Sequence, residues 1–234
     1  MTLTNKRILV TGGTLGLGYA TARLLIESGA KVAITGRDEM RTKHAAERLG
    51  AKGICADVSD QNDCRRSFSE FLDHFGGIDC LINNAGIGVH KSLLELSADE
   101  IEEVWRTNVL GAALMAQHAA REFVKQNCGD IINISSTSGL RGYESGTAYV
   151  ASKFALRGMT ECWRSELRKH NVRVMLINPS EVPTAFGRSD RTERATEPNK
   201  LTPDEIAYAI KLVLEMDRRG FIPELSVFAT NPWG

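Results

Sequence analysis

The feature that most constrains this chain is an alternation: short aliphatic runs give way to longer helical patterns, again and again, from the seventh residue nearly to the last. Residues 7–11, 31–35, 53–55, 78–83, 130–135, 172–178 and 226–229 read as strands. Most are near-continuously apolar, the pattern of parallel strands covered on both faces. Residues 17–28, 38–49, 61–75, 98–125, 149–169 and 203–216 carry the helical period. Ser97 precedes Asp99 and Glu100, and Thr202 precedes Pro203, Asp204 and Glu205, so caps and acids stand at the positive ends of two helices. Gly29 and Gly50 stand where helices should stop. The alternation predicts an α/β fold: an open, doubly wound parallel sheet of seven strands with helices on both faces and right-handed crossovers. The 234 residues suit a single domain, 1–234, without linker or internal repeat.

Composition narrows the partners. Lys and Arg number 29 and Asp and Glu 29, so no net charge calls for nucleic acid or an anionic membrane. No apolar run nears the roughly 20 residues that span a bilayer. Five cysteines (Cys55, Cys64, Cys80, Cys128, Cys162) are scattered, odd in number and without a C-x-x-C pair. That argues against a disulfide framework or a metal site and fits a reducing, cytoplasmic compartment. Met1 to Arg7 lacks the apolar core of a signal peptide. Asn133-Ile134-Ser135 matches a glycosylation sequon, but inside a strand pattern, where modification is not expected.

The first strand runs into Thr11-Gly12-Gly13-Thr14-Leu15-Gly16-Leu17-Gly18 and then a helix. Glycines there let backbone N–H groups and a helix N-terminus approach a pyrophosphate, so Gly12, Thr14, Leu15, Gly16, Leu17 and Gly18 are candidate dinucleotide contacts. The spacing is G-x-x-x-G-x-G rather than the usual G-x-G-x-x-G. An acid that bonds the adenosine ribose is expected about 20 residues on. Here the second strand ends Ile34-Thr35-Gly36-Arg37. A guanidinium can bind a 2′-phosphate bidentately where an acid would repel it, so Arg37 selects NADP(H) over NAD(H). Asp57 and Val58, past the third strand, are placed to meet adenine. Asn84, Ala85 and Gly86 end the fourth strand at the edge where such sheets bind ligands.

Tyr149-Val150-Ala151-Ser152-Lys153 opens the helix after the fifth strand. Positions i and i+4 share a helix face, so phenol and ammonium are neighbours. A cation nearby favours phenolate and brings a group of ordinary pKa about 10 toward service as a proton donor and acceptor. The fifth strand ends in Ser135-Ser136, followed by Thr137-Ser138-Gly139, which reads either as a capping cluster or as hydroxyls facing a developing oxyanion. The charged stretch 187–200 reads either as a solvated loop or as a mobile lid.

These motifs, in this order, resemble the short-chain dehydrogenase/reductase family across nearly the whole chain, and Arg106-Thr107-Asn108-Val109 adds the family's helical asparagine. The resemblance implies a Rossmann-type sheet and carbonyl reduction to an alcohol by hydride transfer. Tyr149 would be the general acid and Ser136, or less readily Ser138, the group that holds the carbonyl. Lys153 would bind the nicotinamide ribose and depress the pKa of Tyr149, and Asn108 would hold a relay water. Pro179, Val182 and Thr184 would meet the nicotinamide, with Thr184 on its carboxamide. Ser180 stands where the family has glycine, and Glu181 is either a substrate contact or a turn residue. A substrate loop over about 185–200 follows, with Leu140, Tyr143, Val89 and Phe186 as candidate pocket linings. The pattern is similar to 3-oxoacyl-(acyl carrier protein) reductases, which makes an acyl-carrier-linked thioester and fatty acid biosynthesis candidate contexts. Helices 98–125 and 149–169 would build a homodimer or homotetramer, with residues 228–234 reaching a neighbour. A non-catalytic NADP-binding sensor or scaffold is the alternative. A serine hydrolase is disfavoured, since no G-x-S-x-G elbow occurs.

Overall fold

The computed structural model describes residues 2–187 and 190–232. Arg188 and Ser189 of the expected substrate loop, and Trp233 and Gly234 of the expected neighbour-reaching tail, lie outside the described residues. Seven strands appear: β1 (Arg7–Val10), β2 (Lys31–Gly36), β3 (Lys52–Cys55), β4 (Cys80–Asn83), β5 (Gly129–Ile134), β6 (Val172–Pro179) and β7 (Glu224–Val227). They form one wholly parallel sheet in the order β3-β2-β1-β4-β5-β6-β7. The chain winds outward from β1 to β3, then returns and winds the other way from β4. The connections leaving β1 and β4 therefore diverge, and a crevice opens at their carboxyl ends.

Among the described residues, seven α-helices cover the sheet: α1 (Gly16–Glu27), α2 (Glu39–Leu49), α3 (Gln61–Phe75), α4 (Ala98–Trp105), α5 (Ala112–Gln126), α6 (Thr147–Leu167) and α7 (Pro203–Glu215). Alternate strand residues face opposite layers. Ile8, Val10, Ile132 and Ile134 pack with Leu25 of α1, Ala46 of α2 and Ile210 of α7. Leu9, Leu81, Ile131 and Val174 pack with Phe71 of α3, Met115 and Phe123 of α5, and Trp163 of α6. Each fully buried Ile, Leu or Phe contributes roughly 1.5–3 kcal/mol, so two such layers fix the register of every central strand.

Local chemistry sets most helix starts. Asp38, Asp60, Ser97 and Thr202 each accept a backbone N–H of the helix they precede, and the last two complete capping boxes. Two differences from the sequence reading are informative. The expected helix 98–125 carries a π turn at Arg106–Gly111 between α4 and α5. β7 lies two residues earlier than expected, because this half-exposed edge strand lacks the apolar run that marked the others.

Asn83 and Asn133 are register partners on β4 and β5. The Asn83 amide donates to the Asn133 side-chain oxygen at 2.9 Å, and Asn133 donates to Thr160 of α6 at 2.8 Å. This buried ladder fixes α6 over β5. It also leaves Asn133 fully buried, out of reach of any glycosylating enzyme in the folded protein.

Candidate active site

The carboxyl ends of β1, β2, β4, β5 and β6 border one cavity of about 850 Å³. The glycine turn after β1 occupies one end. Gly12 has φ +66°, and a Cβ there would lie 2.8 Å from the Ala85 backbone. At Gly18 a Cβ would lie 2.4 Å from the Asn84 amide and from the Gly12 carbonyl. The turn and the loop after β4 therefore touch backbone to backbone. Asn84 completes that contact by donating to the carbonyls of Thr11 (2.9 Å) and Gly12 (3.0 Å). Its amide nitrogen, expected to serve a bound nucleotide, instead braces the turn.

Gly12, Thr14, Leu15, Gly16, Leu17, Arg37, Asp57, Val58, Asn84, Ala85 and Gly86 border the cavity, as do Pro179, Val182 and Thr184; Gly18 lies behind the turn. Arg37 is exposed at the end of β2 and has no ion pair among the described residues. Asp38, the next residue, turns its carboxylate onto its own helix, accepting the Arg41 N–H at 2.8 Å. Asp57 is likewise engaged, accepting the Ser59 N–H and hydroxyl at 2.9 and 2.8 Å. Asp38 and Asp57 are thus both held by local partners.

The other end gathers Ser136, Ser138, Tyr149 and Lys153. Ser136 leaves β5 in extended conformation and donates to the Ser138 hydroxyl at 3.1 Å. α6 begins at Thr147, two residues before the expected start, so Tyr149 sits in its first turn. The Lys153 ammonium lies 5.5 Å from the Tyr149 ring centroid and donates to the Ile134 carbonyl at 2.9 Å. Lys153 is only 5% exposed, and burial lowers its pKa from 10.5 to about 8.

The expectation that Lys153 depresses the Tyr149 pKa is not met in this geometry. Burial dominates and raises the phenol's pKa, with a hydrogen bond from Ser136 acting against it. The reason is positional: the ammonium stands over the ring and is satisfied by a main-chain oxygen rather than by the phenol.

Asn108 lies on the π turn, 1% exposed, and does not border the cavity. Its side-chain oxygen accepts the Ile87 N–H at 2.8 Å, and its amide donates to the Ile87 carbonyl (2.9 Å) and to Ser152 (3.0 Å). Ser152 in turn donates to the Tyr149 carbonyl at 2.7 Å. Asn108 and Ser152 thus tie the loop after β4 to the turn of helix that carries Tyr149. Ser152 was open to discovery from the sequence, since a mid-helix serine beside two candidate residues often bonds back to the preceding turn.

Around the phenol the lining differs from expectation in part. Tyr143 and Phe186 border the cavity, with Phe186 at 5.4 Å from the Tyr149 ring. Leu140 and Val89 do not; His90 and Arg141 take those places. Leu140 caps the short 3₁₀ turn Thr137–Gly139 and lies partly in solvent. The His90 ring lies 5.8 Å from Tyr149 and 6.1 Å from Tyr143. A single histidine in a loop gave no sequence signal. Arg141 has no ion pair among the described residues. Ser180 replaces glycine without strain, since its backbone is not left-handed, and its N–H donates to the Val227 carbonyl at 2.9 Å. Glu181 pairs with Lys200 at 2.6 Å.

Comparison with known proteins agrees with this geometry. An uncharacterized oxidoreductase of Staphylococcus aureus (strain USA300) is 32% identical over 228 residues, spanning 96% of this chain and 97% of that protein. An alcohol dehydrogenase from the archaeon Thermococcus sibiricus, solved in complex with 5-hydroxy-NADP, superposes with a TM-score of 0.86 at 27% identity, covering 96% of this chain and 97% of that one. A 3-ketoacyl-(acyl-carrier-protein) reductase from Brucella melitensis, in complex with NADH, superposes with a TM-score of 0.87 at 26% identity, covering 98% and 99%. The family model described as short chain dehydrogenase matches residues 6–195, and with a seven-stranded parallel sheet whose carboxyl edge borders one cleft with Ser136, Tyr149 and Lys153, the chain belongs to that family of oxidoreductases.

Proposed function

We propose that the protein is an NADP-dependent reductase that converts a carbonyl to an alcohol. The observation that carries this reading is one continuous cavity, which joins Arg37, without an ion pair among the described residues, to Ser136, Tyr149 and Lys153 at its other end. A relative of the same fold was solved with NADH, so the sheet alone does not choose the cofactor, and the choice rests on Arg37. The residues present fit the group: backbone N–H groups at the start of α1, where Leu15 gives no side-chain cap, for a diphosphate, Arg37 and Arg41 for a 2′-phosphate, and Thr184 for a carboxamide.

Bound in the cleft, the reduced nicotinamide supplies the hydride that reaches the carbonyl carbon. The carbonyl oxygen accepts a hydrogen bond from Ser136 and the proton of Tyr149. The raised pKa of the buried phenol suits a group that must hold its proton until the oxygen becomes basic. Two things then stabilise the phenolate: the Ser136 hydroxyl and the positive end of α6. Lys153 stands to meet ribose hydroxyls, having one donor already fixed on Ile134.

The relay role of Asn108 falls on its backbone rather than its side chain, which Ile87 and Ser152 already occupy.

Arg141 and His90 favour substrates with an anionic or strongly polar group beside the carbonyl. Oxo acids and 3-oxoacyl thioesters are both candidates. Ile101, Trp105, Leu110 and Phe154 leave apolar surface on α4, the π turn and α6, which supports a homo-oligomer built on those elements. The kcat/KM ratio for NADPH over NADH, measured across ketones, oxo acids and 3-oxoacyl thioesters, tests the reading. The expected result is a clear NADPH preference with at least one carbonyl class. Binding of NADPH without turnover of any carbonyl favours the sensor alternative. Light scattering decides the oligomeric state.

A further inference from the structure

α1 differs from the helices that cap themselves. Its N-cap, Leu15, has no side-chain hydrogen bond, whereas Asp38, Asp60, Ser97 and Thr202 cap α2, α3, α4 and α7. The cap on α1 comes from 177 residues away. Glu193, in the loop that leads to α7, accepts the Gly16 N–H on one carboxylate oxygen at 2.8 Å. Its other oxygen accepts the Ala185 N–H at 2.9 Å. The two N–H groups belong to segments that touch on the cleft wall: a Cβ on Gly16 would lie 3.3 Å from the Thr184 side chain. Arg191 and Arg194 border the same cavity as Arg37 and Arg41. Burial, and then the like charges of Arg37 and Arg41, disfavour the Arg191 cation there.

We infer that Glu193 is an internal stand-in for the dinucleotide diphosphate, holding its loop at the start of α1 until the cofactor displaces it. A carboxylate and a phosphate both offer anionic oxygens to the same helix N-terminus, so they compete for the Gly16 N–H. Because the same carboxylate holds Ala185, next to Thr184, its displacement also releases the start of the loop over the substrate end. Cofactor arrival and the freeing of the substrate loop are then one event. Arg191, brought by that loop beside Arg37 and Arg41, joins Arg37 in distinguishing a 2′-phosphate, while Glu193 is blind to it. This rests on the reading that the cleft holds a nicotinamide dinucleotide.

The experiment is dissociation constants for NADPH and NADH, by nicotinamide fluorescence, on wild type, Glu193→Ala, Glu193→Gln and Arg191→Ala, each checked for folding by thermal melting. Removing a competing contact of one hydrogen bond's net worth should lower both Kd values by roughly three- to tenfold in Glu193→Ala. Glu193→Gln, which keeps one acceptor oxygen but no charge, should fall between. Arg191→Ala should weaken NADPH and leave NADH unchanged. Amide exchange at Gly16 and Ala185 should be slow in the cofactor-free wild type and fast in Glu193→Ala, while NADPH should slow Gly16 and release Ala185 in the wild type. Unchanged or higher Kd values in Glu193→Ala overturn the inference and leave the functional reading standing. NADPH that binds none of the four proteins overturns both.

Discussion

The two edges of the sheet treat charge in opposite ways. At the amino edge Asp130 receives Arg173 at 2.7 and 3.0 Å and Arg218 at 3.1 and 3.0 Å. The remaining donors of those guanidiniums reach the carbonyls of Leu214, Met216, Gly129 and Asn171. Arg7 meets Asp79 at 2.9 Å in the same manner. At the carboxyl edge Arg37 and Arg141 have no ion pair among the described residues, and Lys153 is buried against a carbonyl. One edge closes its electrostatics internally and holds the fold together. The other leaves cations facing a cavity, at a cost to stability that a bound anion offsets.

That contrast can be broken by substitutions that separate activity from stability. The largest effect is expected at Tyr149. Tyr149→Phe should lower kcat by about a hundred- to ten-thousandfold, the usual worth of a positioned proton donor, while the melting temperature stays within a few degrees. Next is the amino edge. Asp130→Ala strands two guanidiniums, one of them buried, and should cost about 3–5 kcal/mol in urea unfolding, with the NADPH Kd of the folded fraction unchanged. The mirror image is Arg37→Ala. Losing charge-assisted hydrogen bonds worth about 1.5–3 kcal/mol should weaken NADPH at least tenfold, spare NADH, and leave the unfolding midpoint the same or higher.

The smallest effect sharpens the comparison through pH. The folded pKa of Lys153 is about 8, against 10.5 for an unburied lysine. Below pH 8 the folded protein carries the full cost of a buried ammonium. Between 8 and 10.5 the unfolded chain binds more protons than the folded one, so this group's contribution to stability rises with pH. Tyr149, whose pKa is raised, acts in the opposite sense above pH 10. Wild type should therefore gain stability relative to Lys153→Met between pH 8 and 10. Parallel stability curves for the two proteins would show that the ammonium is not desolvated.

Much of this was legible in the sequence, for physical reasons that particular residues make clear. Central strands such as β5 announce themselves because both faces are buried, which places Ile131, Ile132 and Ile134 within one wholly buried stretch. Tyr149 and Lys153 could be placed on one face because helical spacing is local. The half-exposed β7 carried no such run, and its position was missed by two residues. What stayed hidden depended on long-range placement. Nothing near Gly16 in sequence foretells that Glu193 caps it, and nothing near His90 foretells Tyr149. Spacing put the Lys153 charge beside the phenol, but only the packing of α6 over β5 showed that it stands above the ring and bonds Ile134.

The central claim is that the carboxyl edge is a reducing site in which Tyr149 delivers a proton to a carbonyl oxygen. It is tested most directly by single-turnover oxidation of enzyme-bound NADPH with a carbonyl panel, in wild type and Tyr149→Phe side by side. The account predicts rapid oxidation by at least one carbonyl in the wild type. The rate should fall by about a hundredfold or more in the variant, with the NADPH Kd unchanged. Equal rates in the two proteins, or bound NADPH that no carbonyl oxidises, would contradict it.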